Sequence, residues 1–453
     1  MLDLDASTQA PHRPSQLTLL AKRRFAPLFV TQFLGAFNDN LFKNALVVLL
    51  TFQAATWTRL DPGVLANIAA GLFILPFFLF SATAGQLADK FDKARLARLT
   101  KLLEIIIMAV AGLGFALENL VLLLTALFLM GLQSTLFGPL KYALLPQHLR
   151  PDELIGGNAL VEAGTFVAIL LGTLAGGLLA GLTGGTLWIT GMSLLLAVLG
   201  YLASRGIPPA PAPQPELALD YACIGATWRC IGLARANRSV FLAILAISWF
   251  WLYGALFLTQ IPAYTRLVLG GDESMVTLLL ATFSIGIGSG SLFCERLSRH
   301  RIEIGLVPLG ALGMTLFGLD FAWVSSVLAP SGAPLPLSTL LEQGRTWRLL
   351  LDLLLLGASG GLYCVPLYAL MQARSHPDQR ARNIAANNIM NALFMVLGAL
   401  LAAALLAHGW RIPGLFALAA VANALAGLYL CAVAPRYLRR CLRWLGWNRP
   451  RAR

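Results

Sequence analysis

Long apolar stretches alternate with short polar connections along most of this chain. A helix needs about 20 apolar residues to cross the hydrocarbon core of a bilayer, so each such stretch predicts one membrane span. Twelve stretches are long enough, and they predict spans at residues 25–52, 63–87, 96–117, 119–144, 157–182, 186–204, 239–262, 274–294, 303–326, 348–371, 384–407 and 412–434. The pattern therefore predicts an all-α polytopic membrane protein.

The composition excludes most other classes of protein. The 453 residues are 58% hydrophobic and 12% charged, whereas soluble domains carry roughly 25% charged residues. A water-soluble enzyme and a disordered chain are both excluded on this ground. The six cysteines form no CxxC pair and the five histidines form no HExxH motif. The sequence therefore predicts no metal site, no cofactor and no catalytic residues.

The positions of the basic residues set the expected orientation. Most of the 34 Lys and Arg residues lie in the N-terminal segment, in the connections after even-numbered spans and in the C-terminal tail. Because such residues stay on the cytoplasmic side, we expect a bacterial inner-membrane protein with both termini in the cytoplasm. Residues 1–24 are the expected leader, and residues 435–453, with seven arginines, are a tail expected to rest on anionic membrane lipids. Despite the net charge of +13, no nucleic-acid partner is expected, because no base-reading module accompanies the charge.

A Pro-rich segment divides the chain into two groups of six spans. Residues 206–238 begin IPPAPAPQPE, a sequence that stays extended, and continue as a short amphipathic segment. This predicted cytoplasmic linker separates an N-terminal six-helix bundle at 25–205 from a C-terminal one at 239–434.

The two bundles show signs of internal repetition. Asn158 and Glu162 lie four residues apart in span 5, and the same spacing separates Asn387 from Asn391 in span 11. Two parallel six-span halves are the architecture of major facilitator superfamily transporters, whose substrate site lies between the halves near the bilayer midplane. We therefore expect that fold and a site at that place.

The connection between spans 2 and 3 carries a recognisable motif. The run from Gly85 through Asp89 and Lys90 to Lys93 and Arg95 resembles the superfamily signature at this connection. The resemblance implies a latch that holds the two halves in one state. We expect Asp89 to lie just ahead of span 3, where a carboxylate favours the helix N-terminus. The alternative is an ordinary basic loop on the cytoplasmic side.

An acidic and a basic residue lie close to the middle of span 1. Asp39 lies inside the sequence Phe-Asn-Asp-Asn, and Lys43 follows one helical turn later. Charges within a bilayer cost several kcal/mol and usually mark a functional pathway. At this spacing the two side chains are expected to neutralise each other, with Asn38 and Asn40 adding hydrogen-bonding groups. The alternative is a pair that only fastens spans together.

A second group of polar residues lies closer to the cytoplasm. Glu104 is in span 3, Lys141 near the end of span 4 and Glu162 near the start of span 5. Spans 4 and 5 are antiparallel neighbours, so Lys141 and Glu162 are expected to meet; the alternative is a lysine that extends to the interface. In the second half, the candidates Asn387 and Asn391 are polar but uncharged.

Three segments narrow the resemblance to one branch of the superfamily. QFLGAFNDNLFKNAL at 32–46, FGPLKY at 137–142 and NALVEA at 158–163 are similar to the bacterial lysophospholipid transporter family. The resemblance implies a monomeric carrier that moves lysophospholipids inward for re-acylation by a separate acyltransferase. It also implies functional roles for Asp39 and Lys141.

One departure from that family affects the expected mechanism. Its better-known members carry an arginine in span 7 that can face the acidic residue of span 1. Residues 239–262 contain no Lys or Arg. Either Lys43 balances the charge of the acid here, or the gating contact differs.

Two other functions remain open at this point. The same fold could carry a drug or small metabolite, coupled to protons through Asp39. The chain could also be a non-transporting membrane anchor for a lipid-synthesis enzyme. Intramembrane ionisable residues favour a transport pathway over an anchor.

Overall fold

The computed structural model describes residues 15–52, 62–328 and 335–446. These residues form fifteen α-helices. In chain order they are α1 (Ala26–Phe52), α2 (Pro62–Lys90), α3 (Lys93–Ala116), α4 (Leu120–His148), α5 (Leu154–Ala180), α6 (Gly185–Arg205), α7 (Cys223–Ala236), α8 (Arg238–Tyr264), α9 (Glu273–Ser298), α10 (Leu306–Ser326), α11 (Leu337–Leu341), α12 (Gly344–Arg374), α13 (Arg380–Ala407), α14 (Ile412–Val433) and α15 (Arg436–Trp444).

The predicted twelve-span fold is confirmed. Spans 1–6 correspond to α1–α6, spans 7–9 to α8–α10 and spans 10–12 to α12–α14. Within the described ranges, eleven of these helices are long and apolar enough to cross a membrane. The twelfth, α1, is 27 residues long and carries the polar residues around Asp39. Many leucines on the outer faces of the bundle are exposed, as expected where lipid rather than water surrounds the protein.

Short polar side chains begin several of the helices. The carboxylate of Asp92 accepts the backbone N–H of Arg95 at the start of α3. Asn119 and Asp272 act in the same way at the starts of α4 and α9. Such caps satisfy N–H groups that have no partner within the helix, and they explain why the short connections are polar.

The largest apolar core fills the second half and extends across the boundary into the first half. In the second half, the buried rings of Tyr253, Phe257, Phe283, Phe321 and Phe416 stack on one another, with centroids 4.4 to 6.3 Å apart. In the first half, a separate cluster joins α1, α3 and α4 around Phe42, with aliphatic side chains in place of most rings. The first half thus has one cluster of its own, the larger core joins both halves, and α7 lies in the linker between them.

Both described ends of the chain lie at the same end of the bundle. We call this end the basic face; it holds the segment before α1, the linker and α15. The halves touch along two lines, where α2 lies against α13 and α5 against α9. These lines position the contacts described below.

Helices α9 and α12 approach so closely that they leave no room for side chains at the crossing. A Cβ added at Gly290 would overlap the backbone of Ala358. Small residues permit this approach, which supplies much of the packing between membrane helices.

We expect Gly290→Ala to lower the midpoint of thermal unfolding in detergent, because overpacking a tight contact costs about 1–3 kcal/mol. The matched control is Gly191→Ala in α6, where a Cβ would meet nothing within 4 Å. It should leave the midpoint unchanged or raise it, since alanine is the better helix former. Equal midpoints for Gly290→Ala and the wild type would contradict the described crossing.

Candidate functional site

A cavity of about 280 Å³ lies between the two halves, beside the middle of α1. Its lining combines charged and amide side chains with large apolar ones. The polar group includes Gln32, Asp39, Asn40, Lys43, Lys101, Gln133, Ser134, Lys141, Asn388 and Asn391, and the apolar group includes Phe73, Ile74, Phe77, Phe137, Ile169, Trp251 and Met395. Most of the charge comes from the first half, whereas the second half contributes amides and rings.

Asp39 is held by a hydroxyl group. Ser134 of α4 donates a hydrogen bond of 2.5 Å to Oδ2 of Asp39. The other carboxylate oxygen, Oδ1, is buried and has no hydrogen-bond partner among the described residues. Asp39 therefore retains an acceptor atom that a ligand in the cavity could use.

The expected ion pair between Asp39 and Lys43 is not formed. The ammonium of Lys43 donates to Oδ1 of Asn40 at 3.2 Å and lies 5.1 Å from the centroid of the Phe73 ring. The carboxylate of Asp39 is satisfied by Ser134. Each of the two side chains binds an uncharged partner, so the charges of Asp39 and Lys43 interact only at longer range.

The expected contact between Lys141 and Glu162 is also wrong. The Tyr142 hydroxyl donates to Oε1 of Glu162, and the ammonium of Lys141 lies 4.8 Å from the centroid of the Tyr142 ring. Tyr142 thus contacts both side chains, which form no ion pair with each other. Lys141 lines the cavity, which leaves its charge available there.

Neither Lys43 nor Lys141 forms an ion pair within the described ranges. No carboxylate oxygen in this part of the chain lies within 4.0 Å of either ammonium group. Two such cations, with the Asp39 carboxylate acting on them only at longer range, are costly in the protein interior unless a ligand supplies further counter-charge. The arrangement is therefore suited to an anionic group.

Glu104 is the centre of a buried network behind the cavity. Its carboxylate accepts Nδ2 of Asn38 at 2.8 Å, Nζ of Lys101 at 2.6 Å and Nε2 of Gln133 at 3.1 Å. These donors come from α1, α3 and α4. Asn38 precedes Asp39 and Gln133 precedes Ser134, so the network fixes both members of the Asp39–Ser134 contact.

The predicted amides of the second half divide between the cavity and its surroundings. Asn391 lines the cavity, and its Oδ1 accepts the Ser248 hydroxyl at 2.8 Å. Asn387 is fully buried outside the lining, and its side-chain atoms have no hydrogen-bond partner among the described residues. Asn158, its counterpart in the repeat, forms two hydrogen bonds with Gln372 of α12, at 2.8 and 2.9 Å.

The motif after span 2 connects the halves, but differently from the expectation. Asp89 lies inside α2, and Asp92 is the residue that caps α3. The Asp89 carboxylate instead accepts the backbone N–H groups of Ala381 and Arg382, at 3.1 and 3.3 Å, and pairs with the Arg382 guanidinium at 3.0 Å. It therefore caps α13 of the second half. A Cβ at Gly85 would lie 2.7 Å from Ala385, so this approach also requires a small residue.

The three basic residues of the motif have different surroundings. Lys90 donates to the carbonyl of Leu217 in the linker at 2.7 Å. Lys93 is buried, and its ammonium has no hydrogen-bond partner among the described residues. The side chain of Arg95 is exposed. Within the motif, Gly85 and Asp89 contact α13 directly.

Among the described residues, every hydrogen bond between the halves lies on the basic side of the cavity. They are the contacts of Asp89 with α13, of Asn158 with Gln372, and of Gln16 with α9. The rings of Tyr142 and Tyr368 add a stacked contact, with centroids 4.4 Å apart. The cavity is closed toward the basic face.

The second half also carries charges that lie away from the cavity. Arg348 forms two hydrogen bonds with the Asp320 carboxylate, at 2.6 and 2.9 Å, and lies 5.1 Å from the centroid of a Trp323 ring. Asp352 is buried in α12 near this pair. None of these residues lines the cavity.

Sequence reasoning missed Lys101, Gln133, Ser134 and Arg382. In the sequence, Lys101 resembles the other cations at the cytoplasmic start of span 3. The signal that could have identified it is Glu104, three residues later, at a spacing that favours an ion pair. Ser134 and Gln133 carry no such signal, because isolated polar residues are common in membrane helices.

The sequences of known proteins match this chain in a way that agrees with the twelve-span architecture. Residues 28–341 match the sequence family described as Major Facilitator Superfamily. The lysophospholipid transporter LplT of Citrobacter koseri is 29% identical over 416 residues, which cover 87% of this chain and 93% of that protein. The match therefore covers most of both chains.

Solved structures show the same fold at low sequence identity. The human organic anion transporter MFSD10 matches with a TM-score of 0.71 and 16% identity, covering 92% of this chain and 100% of that one. The transporter FucP in its outward conformation matches with a TM-score of 0.65 and 15% identity, covering 90% and 97%. Fold, internal repeat and family match lead to one conclusion: this chain is a multi-pass membrane transporter, rather than an enzyme, and belongs to the major facilitator superfamily.

Proposed function

We propose that this chain moves lysophospholipids inward across the bacterial inner membrane, for re-acylation by a separate acyltransferase. In this proposal the basic face is cytoplasmic, since Lys and Arg concentrate there, and one chain suffices for transport. The relatives named as lysophospholipid transporters support the choice of substrate.

One observation carries the proposal: two lysine ammonium groups without carboxylate partners line a partly apolar cavity. A lysophospholipid presents a phosphate and a single acyl chain. Ammonium groups form strong, charge-assisted hydrogen bonds with phosphate oxygens. Lys43 and Lys141 would bind the phosphate, and the free oxygen of Asp39 would accept a donor from the rest of the head group.

The size of the cavity suits a head group rather than a whole lipid. Pockets for drug-sized ligands measure about 300–1,000 Å³, and this one holds about 280 Å³. The acyl chain would therefore begin beside Phe73 and Phe77 of α2, at the apolar wall of the cavity, and extend out of the cavity from there.

Closure at the basic face is consistent with inward movement, because it leaves the cavity to be reached from the opposite side. With the contacts of Asp89, Asn158 and Tyr142 in place, the proposed cytoplasmic side is shut. The substrate would enter from the opposite side, and these contacts would have to break before release. Gly85 and Asp89 would serve as the latch between α2 and α13.

We expect Lys141→Gln to reduce uptake of acyl-labelled lysophosphatidylethanolamine into proteoliposomes at least tenfold. A lost hydrogen bond to a charged group costs about 1.5–3 kcal/mol. Lys141→Arg keeps the charge and should retain part of the activity. The matched control, Arg348→Gln, removes a cation outside the cavity and should transport normally. Full uptake by Lys141→Gln would remove this lysine from the mechanism.

The Lys101–Glu104 pair is proposed to support the site rather than to bind substrate. Both side chains are almost fully buried, at 1% and 0% exposure. Removing one partner of a buried ion pair leaves a lone charge and costs about 3–5 kcal/mol.

Single variants at this pair should therefore be much less stable than the double variant. We expect Glu104→Gln and Lys101→Met each to lower the midpoint of thermal unfolding strongly, and the combination to recover most of the loss. Losses that simply add would show that the two side chains do not act as a pair.

A further inference from the structure

A short segment before α1 lies across the basic face and contacts both halves. We call residues 15–24 the N-terminal strap; they include a 3₁₀-helix at Gln16–Ala21. On the side of the first half, Lys22 and Arg24 bind the carboxylate of Glu153, at 3.2 and 2.6 Å. Burial raises the pKa of the Glu153 carboxyl, but hydrogen bonds from the Arg150 backbone and from both cations outweigh burial and hold that pKa below its usual range. The strap is therefore tied to the start of α5 by a charged carboxylate.

The other end of the strap binds the second half. The backbone N–H of Gln16 donates to Oε2 of Glu295 at 3.1 Å, and its side-chain amide donates to the carbonyl of Leu292 at 2.8 Å. Both acceptors belong to α9. Gln16 is only 6% exposed, so these bonds are shielded from competing water.

The strap, α5 and α9 meet at a single point. A Cβ added to Gly156 of α5 would lie 2.7 Å from Oε1 of Glu295 and 2.9 Å from Cβ of Gln16. No space remains between the three elements. Any separation of α5 from α9 at this end must therefore move Gln16 away from Glu295, or pull Lys22 and Arg24 away from Glu153.

The contact has a counterpart on the other side of the molecule. Asp89 lies near the end of α2 and accepts backbone N–H groups at the start of α13. Glu295 lies at the corresponding place near the end of α9 and accepts the first backbone N–H of the strap's 3₁₀-helix. Each half thus contributes one carboxylate that accepts N–H groups at a helix start. For Asp89 this helix belongs to the other half, and for Glu295 it belongs to the strap, which contacts both halves.

We propose that the N-terminal strap is a second closing contact at the basic face, which must release Glu295 before the cavity can open there. The strap holds α5 and α9 together, as Asp89 holds α2 and α13. This inference depends on alternating access by the two halves and is independent of which substrate is carried.

The test removes the Gln16 contacts without disturbing the 3₁₀-helix. Gln16→Pro deletes both the backbone N–H and the side-chain amide. Proline suits this first helical position, and Ser15 before it already has the extended φ and ψ of −54° and 146° that proline favours. The control is Leu17→Ala, a neighbouring residue that is 55% exposed.

A native cysteine reports whether the basic face opens. Cys294 precedes Glu295, is fully buried and packs in one cluster with Ile155 and Ala159 of α5. Opening between α5 and α9 would expose its thiol to maleimide. Cys441 in α15 is also buried, and it packs within the second half, beside Gly305 at the start of α10, so its labelling reports loosening of that half rather than separation of α5 from α9.

We expect Gln16→Pro to increase the rate of Cys294 labelling at least threefold, measured by peptide mass spectrometry on the full-length protein in nanodiscs. Cys441 labelling, and Cys294 labelling in Leu17→Ala, should match the wild type. An unchanged Cys294 rate in Gln16→Pro would overturn the proposal. So would an equal rise at Cys441 or in Leu17→Ala, because the strap would then support the fold in general rather than closure.

Discussion

A charged side chain within a membrane must find its partners inside the protein, because lipid provides neither counter-charge nor hydrogen bonds. The first half of this transporter meets that constraint in two ways. Glu104 gathers three donors, one of them Lys101, while Asp39 and Glu162 each accept a hydroxyl group. Each carboxylate thus has at least one hydrogen-bond donor other than Lys43 or Lys141, whose charges are left at the cavity. The rest of the site depends on this uneven distribution of partners.

The closed face depends on contacts of a different kind. Carboxylates there accept backbone N–H groups at helix starts, where the partial positive charge of the helix favours an anion. Asp89 does so across the boundary between α2 and α13. Such bonds form only when the two helices lie close together. The hydrogen bonds of one carboxylate therefore break together when the halves separate. A strong but separable contact is what alternating access requires.

The sequence alone was sufficient for the fold, and it singled out three charged residues that line the cavity. Asp39, Lys43 and Lys141 could each be identified without knowledge of their neighbours, because a charged residue in an apolar span is conspicuous in the sequence by itself. Partners could not be identified in the same way. The i, i+4 spacing predicted an Asp39–Lys43 pair, yet Ser134 of another helix binds Asp39. Asp89 likewise contacts residues almost 300 positions away. Such choices are made by the packing of helices, which periodicity does not reveal.

The central claim is that Lys43 and Lys141 remain without carboxylate partners because a lipid phosphate binds them. The most direct test is a cryo-electron microscopy structure in nanodiscs with added lysophosphatidylethanolamine. The account predicts phosphate density at hydrogen-bonding distance, about 3 Å, from at least one of the two ammonium groups, with the acyl chain beside Phe73 and Phe77. A lipid head group bound elsewhere, with both ammonium groups free of phosphate, would contradict it.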